Sequence, residues 1–374
     1  MGRWDDGTMG RWVAHGIRGR HGENEGNEGS EHVFHGPCIQ WVPWATTPCL
    51  APKFMSGPCE GRGVVRGGFV VYSACAMRLL PLLLLLVCGG WFRTPVHAEG
   101  RPLLWRVGGK DGGYVFGTIH LSGPRETTLP ACVDSAFADA GEVYCEIPLD
   151  AASQMKVAAG MLSGSGNLKE TLPAELYARV EARLKQINAA LTLEPFQKMP
   201  VWALAVTLAL LEEQLKNPLG KPLDAQLYER AERAGKKVGG IETLDEQLAV
   251  LGGLSPADQL SMLRSTLEST DKEKKEGRSA IEELREAYLS GDLARLEATM
   301  QSQMGEMEPE LAKRIEEALL TVRNRRMADR IAAMLKKPGA GPRFFAIGAG
   351  HLYGETGVMR LLQDAGLAVE RVER

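Results

Sequence analysis

The chain has 374 residues, 44% of them apolar and 24% charged, with a formal net charge of −3. That is the composition of an ordinary globular protein, and the length allows two or three domains. So small a net charge, with no basic patch carrying interleaved aromatics, does not suggest nucleic acid as a partner, and none is expected.

The composition is uneven. Residues 1–76 hold four of the seven tryptophans, four of the seven cysteines and four of the seven histidines. No helix or strand period persists there, so no core is expected in that stretch. At Met77-Arg78 the pattern changes to a basic start, an apolar run Leu79 to Val87 broken by Pro81, and the small-x-small end Val96-His97-Ala98 before Glu99. This is the pattern of a secretory signal peptide. The expectation is translation from Met77, an over-extended, unstructured segment before it, and a periplasmic or secreted domain over 99–374. If the upstream residues are translated, the run Gly68 to Phe92, interrupted by Arg78, approaches the length needed to span a bilayer, and the alternative is an N-terminal membrane anchor. Val87 stands before Cys88 where a lipoprotein signal takes a small residue. Beyond Glu99 only Cys132 and Cys145 remain, either bridged or as two buried thiols. Val201 to Leu211 is too short to cross a membrane, so no stable span is expected after cleavage. Oligomeric state is not legible.

Leu103 to Val107 and Tyr114 to Phe116 flank Gly108-Gly109-Lys110-Asp111-Gly112-Gly113 and predict a β-hairpin. A short helix near Val133 to Ala140 and an alternating strand Glu142 to Ile147 follow. The middle, about 151–338, reads as a helical insertion. Helices are expected over Leu172 to Ile187, Pro200 to Leu215, Leu223 to Ala234, Pro256 to Ser290 and Pro309 to Leu335, with a short strand at Lys237 to Glu242. The charged run Asp271 to Glu276 reads as a solvated face or loop, and Gly160 to Gly166 as a flexible linker. Strand Arg343 to Ile347, a helix from Glu355 to Ala365 and strand Leu367 to Val372 close the chain. The tail thus repeats the head. The predicted fold is mixed α/β, a small central sheet made of two pseudo-repeated strand/Gly-x-x-His/helix units around a large helical insertion.

Each unit ends its strand on a Gly-x-x-His motif, Gly117-Thr118-Ile119-His120 and Gly348-Ala349-Gly350-His351, and these are the only histidines after Ala98. The glycines are expected to turn the backbone sharply and present the imidazoles at strand ends, where α/β proteins place their sites. Imidazole serves proton transfer near neutral pH or binds transition metals. Two histidines do not complete a metal site, so carboxylates must help. Glu146, at the end of the third strand, and Glu242, after the short strand, are the candidates as ligand or general base. Thr243 is also placed to cap a helix from Leu244. No His-Glu-x-x-His helix, Cys-x-x-Cys pair, Walker loop or Gly-x-Ser-x-Gly elbow is present.

Tyr114 to His120, Val143 to Ile147, Ile241-Glu242-Thr243 with Glu246-Gln247-Leu248, Arg323-Asn324, and Ala346 to Val358 together resemble the TraB/GumN family, in its order and over nearly all of 102–372. The family is similar to the TIKI proteins, membrane-tethered metal-dependent proteases with paired Gly-x-x-His motifs, and to bacterial relatives linked to pheromone shutdown or polysaccharide gene clusters. The resemblance implies His120 and His351 as the catalytic or metal-binding pair with Glu146 as their carboxylate. It also points to Glu242, Asn324 and Arg325. Arg325, or equally Arg323, would place a guanidinium to stabilise an oxyanion.

The function expected is therefore a hydrolase acting on a peptide or small molecule. In it His120, His351 and Glu146 or Glu242 hold a divalent Mn, Co or Zn ion whose bound water attacks a carbonyl. Two alternatives stay open. One is a non-enzymatic protein that binds or sequesters haem or another ligand, with the apolar Val201 to Leu211 helix as a slot. The other is a metal-free esterase with His120 as general base.

Overall fold

The computed structural model describes residues 101–109, 112–164, 166–339 and 341–373. The expected upstream segment, signal peptide and Glu99 lie outside the described residues.

Six strands form one mixed sheet: β1 (Leu104–Val107), β2 (Gly113–Thr118), β3 (Glu142–Cys145), β4 (Lys237–Gly240), β5 (Arg343–Gly348) and β6 (Val369–Arg371). Their order is β4-β3-β5-β2-β1-β6. β4, β3, β5 and β2 run parallel, β1 returns antiparallel to β2, and β6 pairs antiparallel with β1. The first turn of the sheet needs its glycines, since Gly108 and Gly109 have φ of +78° and +76°, a region closed to most side chains.

The two central strands are buried at every position, as parallel strands covered on both faces must be. Tyr114, Phe116, Val143, Cys145, Phe344 and Ala346 point to one face, against helices Ala131–Asp139 and Leu223–Arg233. Val115, Tyr144, Phe345 and Ile347 point to the other, against helices Ala280–Ser290, Val322–Leu335 and Val358–Asp364. Burying Phe344 and Phe345 completely contributes about 1.5–3 kcal/mol each. The result is three layers, α/β/α, with the parallel strands in the middle.

The head and tail units close differently. β3 enters the sheet parallel, beside β5, whereas β6 lies beyond β1 at the far edge. What the two units share is the placement that matters: β2 and β5 are adjacent and parallel, with Thr118 opposite Gly348, so both Gly-x-x-His motifs leave the same edge of the sheet side by side.

The helical insertion departs from the sequence pattern at a break in one expected helix and at a π-turn in another. The helix expected over Pro256 to Ser290 is two, Pro256–Glu276 and Ala280–Ser290. Gly277, at φ +66°, closes the first, and the Ser279 side chain caps the second; apolar periodicity runs on across a three-residue break and hides it. The charged run Asp271 to Glu276 forms the last turns of that first helix. Within Pro309 to Leu335, the five residues Glu317–Thr321 form a π-helical turn between two α-helices. The apolar face of helix Val201–Lys216 is buried, packed on helix Pro256–Glu276. Among the described residues no helix is long and apolar enough to cross a membrane. Cys132 and Cys145 are both free thiols, and burial pushes the Cys145 thiol well up, which keeps it protonated and unreactive.

Candidate functional site

The carboxyl ends of β2, β3 and β5 converge, and each delivers one group. His120 follows β2, Glu146 follows β3, and His351 ends the short helical turn Ala349–His351 after β5. Glu146 Oε1 stands 3.9 Å from His120 Nε2 and 3.7 Å from His351 Nε2. The His120 side chain is 58% exposed, while those of Glu146 and His351 are 7% and 6% exposed. One imidazole therefore stands at the mouth and the other at the floor.

The Gly-x-x-His glycines work differently from expectation. Neither Gly117 nor Gly348 has a positive φ; Gly348 sits at φ −55°, ψ 134°, open to any residue. What is required is the missing Cβ. At Gly117 it would stand 2.6 Å from Leu352 Cδ1, so that glycine lets the turn after β5 pack down on β2. At Gly348 it would stand 3.0 Å from Glu146 Oε1 and 3.6 Å from both His120 Nε2 and His351 Cδ2. Gly348 thus leaves open the space between the three chemical groups, and its backbone N–H donates to Glu146 Oε1 at 2.7 Å.

The other helical layer supports the site from behind. The π-turn precedes Val322 and adds a residue to the helical repeat, a distortion often found at functional sites. Two consecutive residues just after it, Arg323 and Asn324, are buried at the site. Arg323 donates to Glu146 Oε2 at 2.5 Å and to Glu242 Oε2 at 2.8 Å. Asn324 Oδ1 lies 2.6 Å from His351 Nδ1. An amide oxygen can only accept, so Nδ1 carries the proton and His351 Nε2 keeps a lone pair toward Glu146. Gln247 Nε2 donates to Glu146 Oε2 at 3.0 Å. Gln247 lies on helix Leu244–Gly252, which Thr243 and Glu246 start with a reciprocal capping box.

These contacts set the charges. Burial acts to raise the Glu146 carboxyl, but His351, the Arg323 guanidinium, His120 and the Gly348 N–H outweigh it and hold the group well below the usual carboxylate range. Burial pushes His351 down to about 4 against the opposing pull of Glu146, so its ring is neutral at pH 7. His120 is raised, first by the charge of Asp224 and only partly opposed by desolvation. Because the ring is more than half exposed, water screens that field.

Of the residues singled out from sequence, His120, His351 and Glu146 meet at one point. Glu242 does not join them: its fully buried carboxylate is taken by Arg323 and by Arg326, at 3.0 Å, and among the described residues it pairs with no histidine. Arg325 lies on the exposed side of its helix, and the guanidinium beside Glu146 belongs to Arg323. The residue that sequence reading passed over is Asp224, whose Oδ1 is 3.3 Å from His120 Nδ1. An acidic residue in the first turn of a helix is so common for electrostatic reasons that it carries no signal of its own. The expected haem slot, Val201 to Leu211, is buried within the helical insertion.

The donor set suits a divalent cation. Glu146 Oε1, His120 Nε2 and the His351 ring edge border a space kept free of a side chain by Gly348; the ionised carboxylate, His351 Nε2 and, once deprotonated, His120 Nε2 are its electron-pair donors, and the Nδ1 edge of each ring faces an acceptor in an outer layer. Two ligands about 2.1 Å from a tetrahedral ion stand about 3.4 Å apart. The separations of 3.7 and 3.9 Å are a few tenths wider, and among the described residues no three His, Cys, Asp or Glu side chains are gathered closely enough to hold an ion as they stand. An open cavity of about 550 Å³ begins two residues beyond His120, at Ser122, and runs along Leu223, Gln226 and Arg230 of the helix that carries Asp224.

A model of the TraB/PrgY/gumN family matches residues 103–371. The chain is similar to metalloprotease TIKI2 of Danio rerio, 29% identical over 301 residues that cover 69% of this chain and 58% of that protein. It is 27% identical to metalloprotease TIKI1 of Homo sapiens, over 74% of this chain and 63% of that one, and 26% identical to a metalloprotease TIKI homolog of Amphimedon queenslandica, over 80% and 68%. The chain spans about three fifths of the length of the first two of these relatives. No solved structure matches.

Proposed function

This chain belongs to the TraB/PrgY/gumN family, and from that premise we propose that it is a divalent-metal-dependent peptidase working at the carboxyl edge of its sheet. The observation that carries the reading is the convergence of three groups beside Gly348: Glu146 Oε1 within 3.9 Å of His120 Nε2 and 3.7 Å of His351 Nε2, with Glu146 Oε1, His120 Nε2 and the His351 ring edge at Cδ2 bordering the space where a Cβ would lie. The metalloprotease names of its relatives point the same way. His120, His351 and Glu146 would hold the ion, which would lower the pKa of a bound water and polarise the scissile carbonyl. Mn, Co and Zn all accept this mixture of imidazole and carboxylate.

The chain's own groups then have distinct tasks. His351, buried and neutral, offers its lone pair without having to lose a proton. Glu146 stays ionised because Arg323, Gln247 and the Gly348 N–H hold its oxygens. Arg323 neutralises two buried carboxylates at once, so it maintains the ligand and is not free to meet an oxyanion. His120, at the mouth, is the group a peptide would meet first. The domain over 99–374 is proposed to act after export, on the signal-like pattern of Met77 to Ala98; a mature N-terminus other than Glu99 would refute that part.

A second reading has an observation behind it. His120 paired with Asp224 is also the geometry of a general base held by a carboxylate, which would serve a metal-free esterase. Metal analysis of the purified full chain, calorimetric titration with Mn, Co and Zn, and peptide hydrolysis with and without chelator separate the two. One tightly bound ion, lost in His120→Ala and His351→Ala together with chelator-sensitive hydrolysis, is the expected result. Hydrolysis that survives complete metal removal would replace the first reading by the second.

A further inference from the structure

Asp224 is the second residue of helix Leu223–Arg233, which starts at Pro222 without a side-chain cap. Leu223, Leu227, Tyr228 and Ala231 bury this helix on the sheet face that also carries Phe116 and Cys145, and the Cys145 thiol donates to the Asp224 backbone oxygen at 3.6 Å. The start of the helix is therefore pinned beside the ends of β2 and β3. Its second residue, with a side chain 15% exposed, reaches His120 Nδ1 at 3.3 Å. Asp224 Oδ1 is itself buried and makes no well-formed hydrogen bond to any group. A carboxylate oxygen in such a place wants an N–H donor, and the imidazole Nδ1–H is the group in front of it.

The two ring nitrogens of His120 thus face opposite ways, Nδ1 to Asp224 in the helical layer and Nε2 to Glu146 within the sheet edge. His351 is arranged alike, with Nδ1 on Asn324 of the opposite layer and Nε2 toward the same Glu146 oxygen. The difference is charge: Asn324 is neutral and Asp224 is a carboxylate. A carboxylate behind an imidazole fixes its tautomer and strengthens its lone pair. The exposed histidine, which packing constrains least, is the one that has the charged partner.

We propose that Asp224 is the positioning residue of His120, fixing the ring with Nδ1–H toward the helix and the Nε2 lone pair toward the space bounded by Glu146 and His351. The proposal rests on the reading that His120 works through Nε2. It does not make Asp224 a ligand; the carboxylate acts through the ring.

The test uses the full chain with Asp224→Ala, which removes the acceptor, and Asp224→Glu, which keeps its charge. Two readouts are taken: cobalt(II) affinity with its visible spectrum, and the ¹⁵N shifts of the neutral His120 ring in metal-free protein, assigned with His120→Ala. Expected are cobalt binding weakened roughly 10- to 100-fold in Asp224→Ala, partial recovery in Asp224→Glu, and in Asp224→Ala a ring that changes from the Nδ1–H form to a mixture with the Nε2–H form. A merely structural role would lower thermal stability without moving the tautomer. Unchanged affinity and tautomer in Asp224→Ala would overturn the proposal. If wild type binds no cobalt, the metal reading fails, while the ring shifts still decide the role of Asp224.

Discussion

Replacing Gly348 by alanine puts one methyl group at the centre of the site while leaving every donor in place. The backbone there, φ −55° and ψ 134°, accepts alanine without strain. The added Cβ lies 3.0 Å from Glu146 Oε1 and 3.6 Å from His120 Nε2. The first distance forces a shift of a few tenths of an ångström, and the carboxylate is held on its other oxygen by Arg323 and Gln247, so it yields little. On stability, the contact costs about 1–3 kcal/mol as an overpacked core does, offset by about 0.4–1 kcal/mol from the stiffer unfolded chain. The net effect is a loss of about 2.6 kcal/mol or less, which lowers Tm by several degrees. Binding should suffer more, because the methyl takes the volume an ion or its water would use: a loss of at least tenfold in cobalt affinity, about 1.4 kcal/mol, with peptide hydrolysis falling in step. Calorimetric titration with cobalt(II) and urea unfolding on the same preparation measure both quantities. Gly350→Ala is the control, since its Cβ would meet only the flexible end of Met300, at 2.9 Å, and should disturb packing but not binding. A Gly348→Ala protein that binds cobalt and turns over peptide like wild type would show that the space between His120, His351 and Glu146 is not where the chemistry occurs.

Two further perturbations probe the layer behind the site. Asn324→Ala leaves the buried Nδ1–H of His351 without a partner and should destabilise the fold by about 1–3 kcal/mol while weakening metal binding roughly 10- to 100-fold; urea midpoints and cobalt titration check the pair, and an effect on stability alone would confine Asn324 to packing. Arg323→Met takes the guanidinium from the buried Glu146, while Glu242 keeps Arg326, and about 3–5 kcal/mol of stability should go at pH 7. The sign of its pH dependence follows from Glu146. A carboxyl held below its ordinary range contributes stability above that range and loses it as pH falls through the folded-state value, and removing Arg323 moves that value upward. The gap between wild type and variant should therefore narrow on going from pH 7 to pH 4. A gap that is constant across those unfolding curves would mean Arg323 is not compensating the two carboxylates.

The sheet was readable because its strands are short apolar runs with glycine punctuation. The hairpin, the strand ending at Glu146 and the strand from Arg343 were all legible, and so was the helical character of what lies between. The repeat of strand and Gly-x-x-His at both ends placed the two histidines at strand ends; that the strands are neighbours is a matter of register, Thr118 opposite Gly348, and no local pattern encodes it. The break at Gly277 and the π-turn at Glu317–Thr321 were not legible, because apolar spacing continues through both. That π-turn is what confuses the choice between Arg323 and Arg325. Two arginines two positions apart lie about 200° apart around a helix, so one must face inward; the extra residue of the π-turn shifts the phase of the pattern, and only the packed helix shows that Arg323 is the inward one.

The missing partners follow one rule. Glu146 and the two histidines are recognisable because each ends a strand, and strand ends are few. Asp224 and Asn324 are set into helices, where a polar residue is the ordinary state of affairs, and each becomes informative only once the helix is laid against the sheet. The site is therefore built in two stages: the sheet edge supplies the three groups that converge, and a helix from each face supplies the acceptor that tells one imidazole which way to point. It follows that the layers can be disturbed separately. A change in helix Leu223–Arg233 should alter the behaviour of His120 and leave His351 as it was, whereas a change in helix Val322–Leu335 should do the reverse and, through Arg323, reach Glu146 as well. The exposed histidine, backed by a charge, is free to be tuned alone; the buried one is tied to the same helix that keeps the carboxylate ionised.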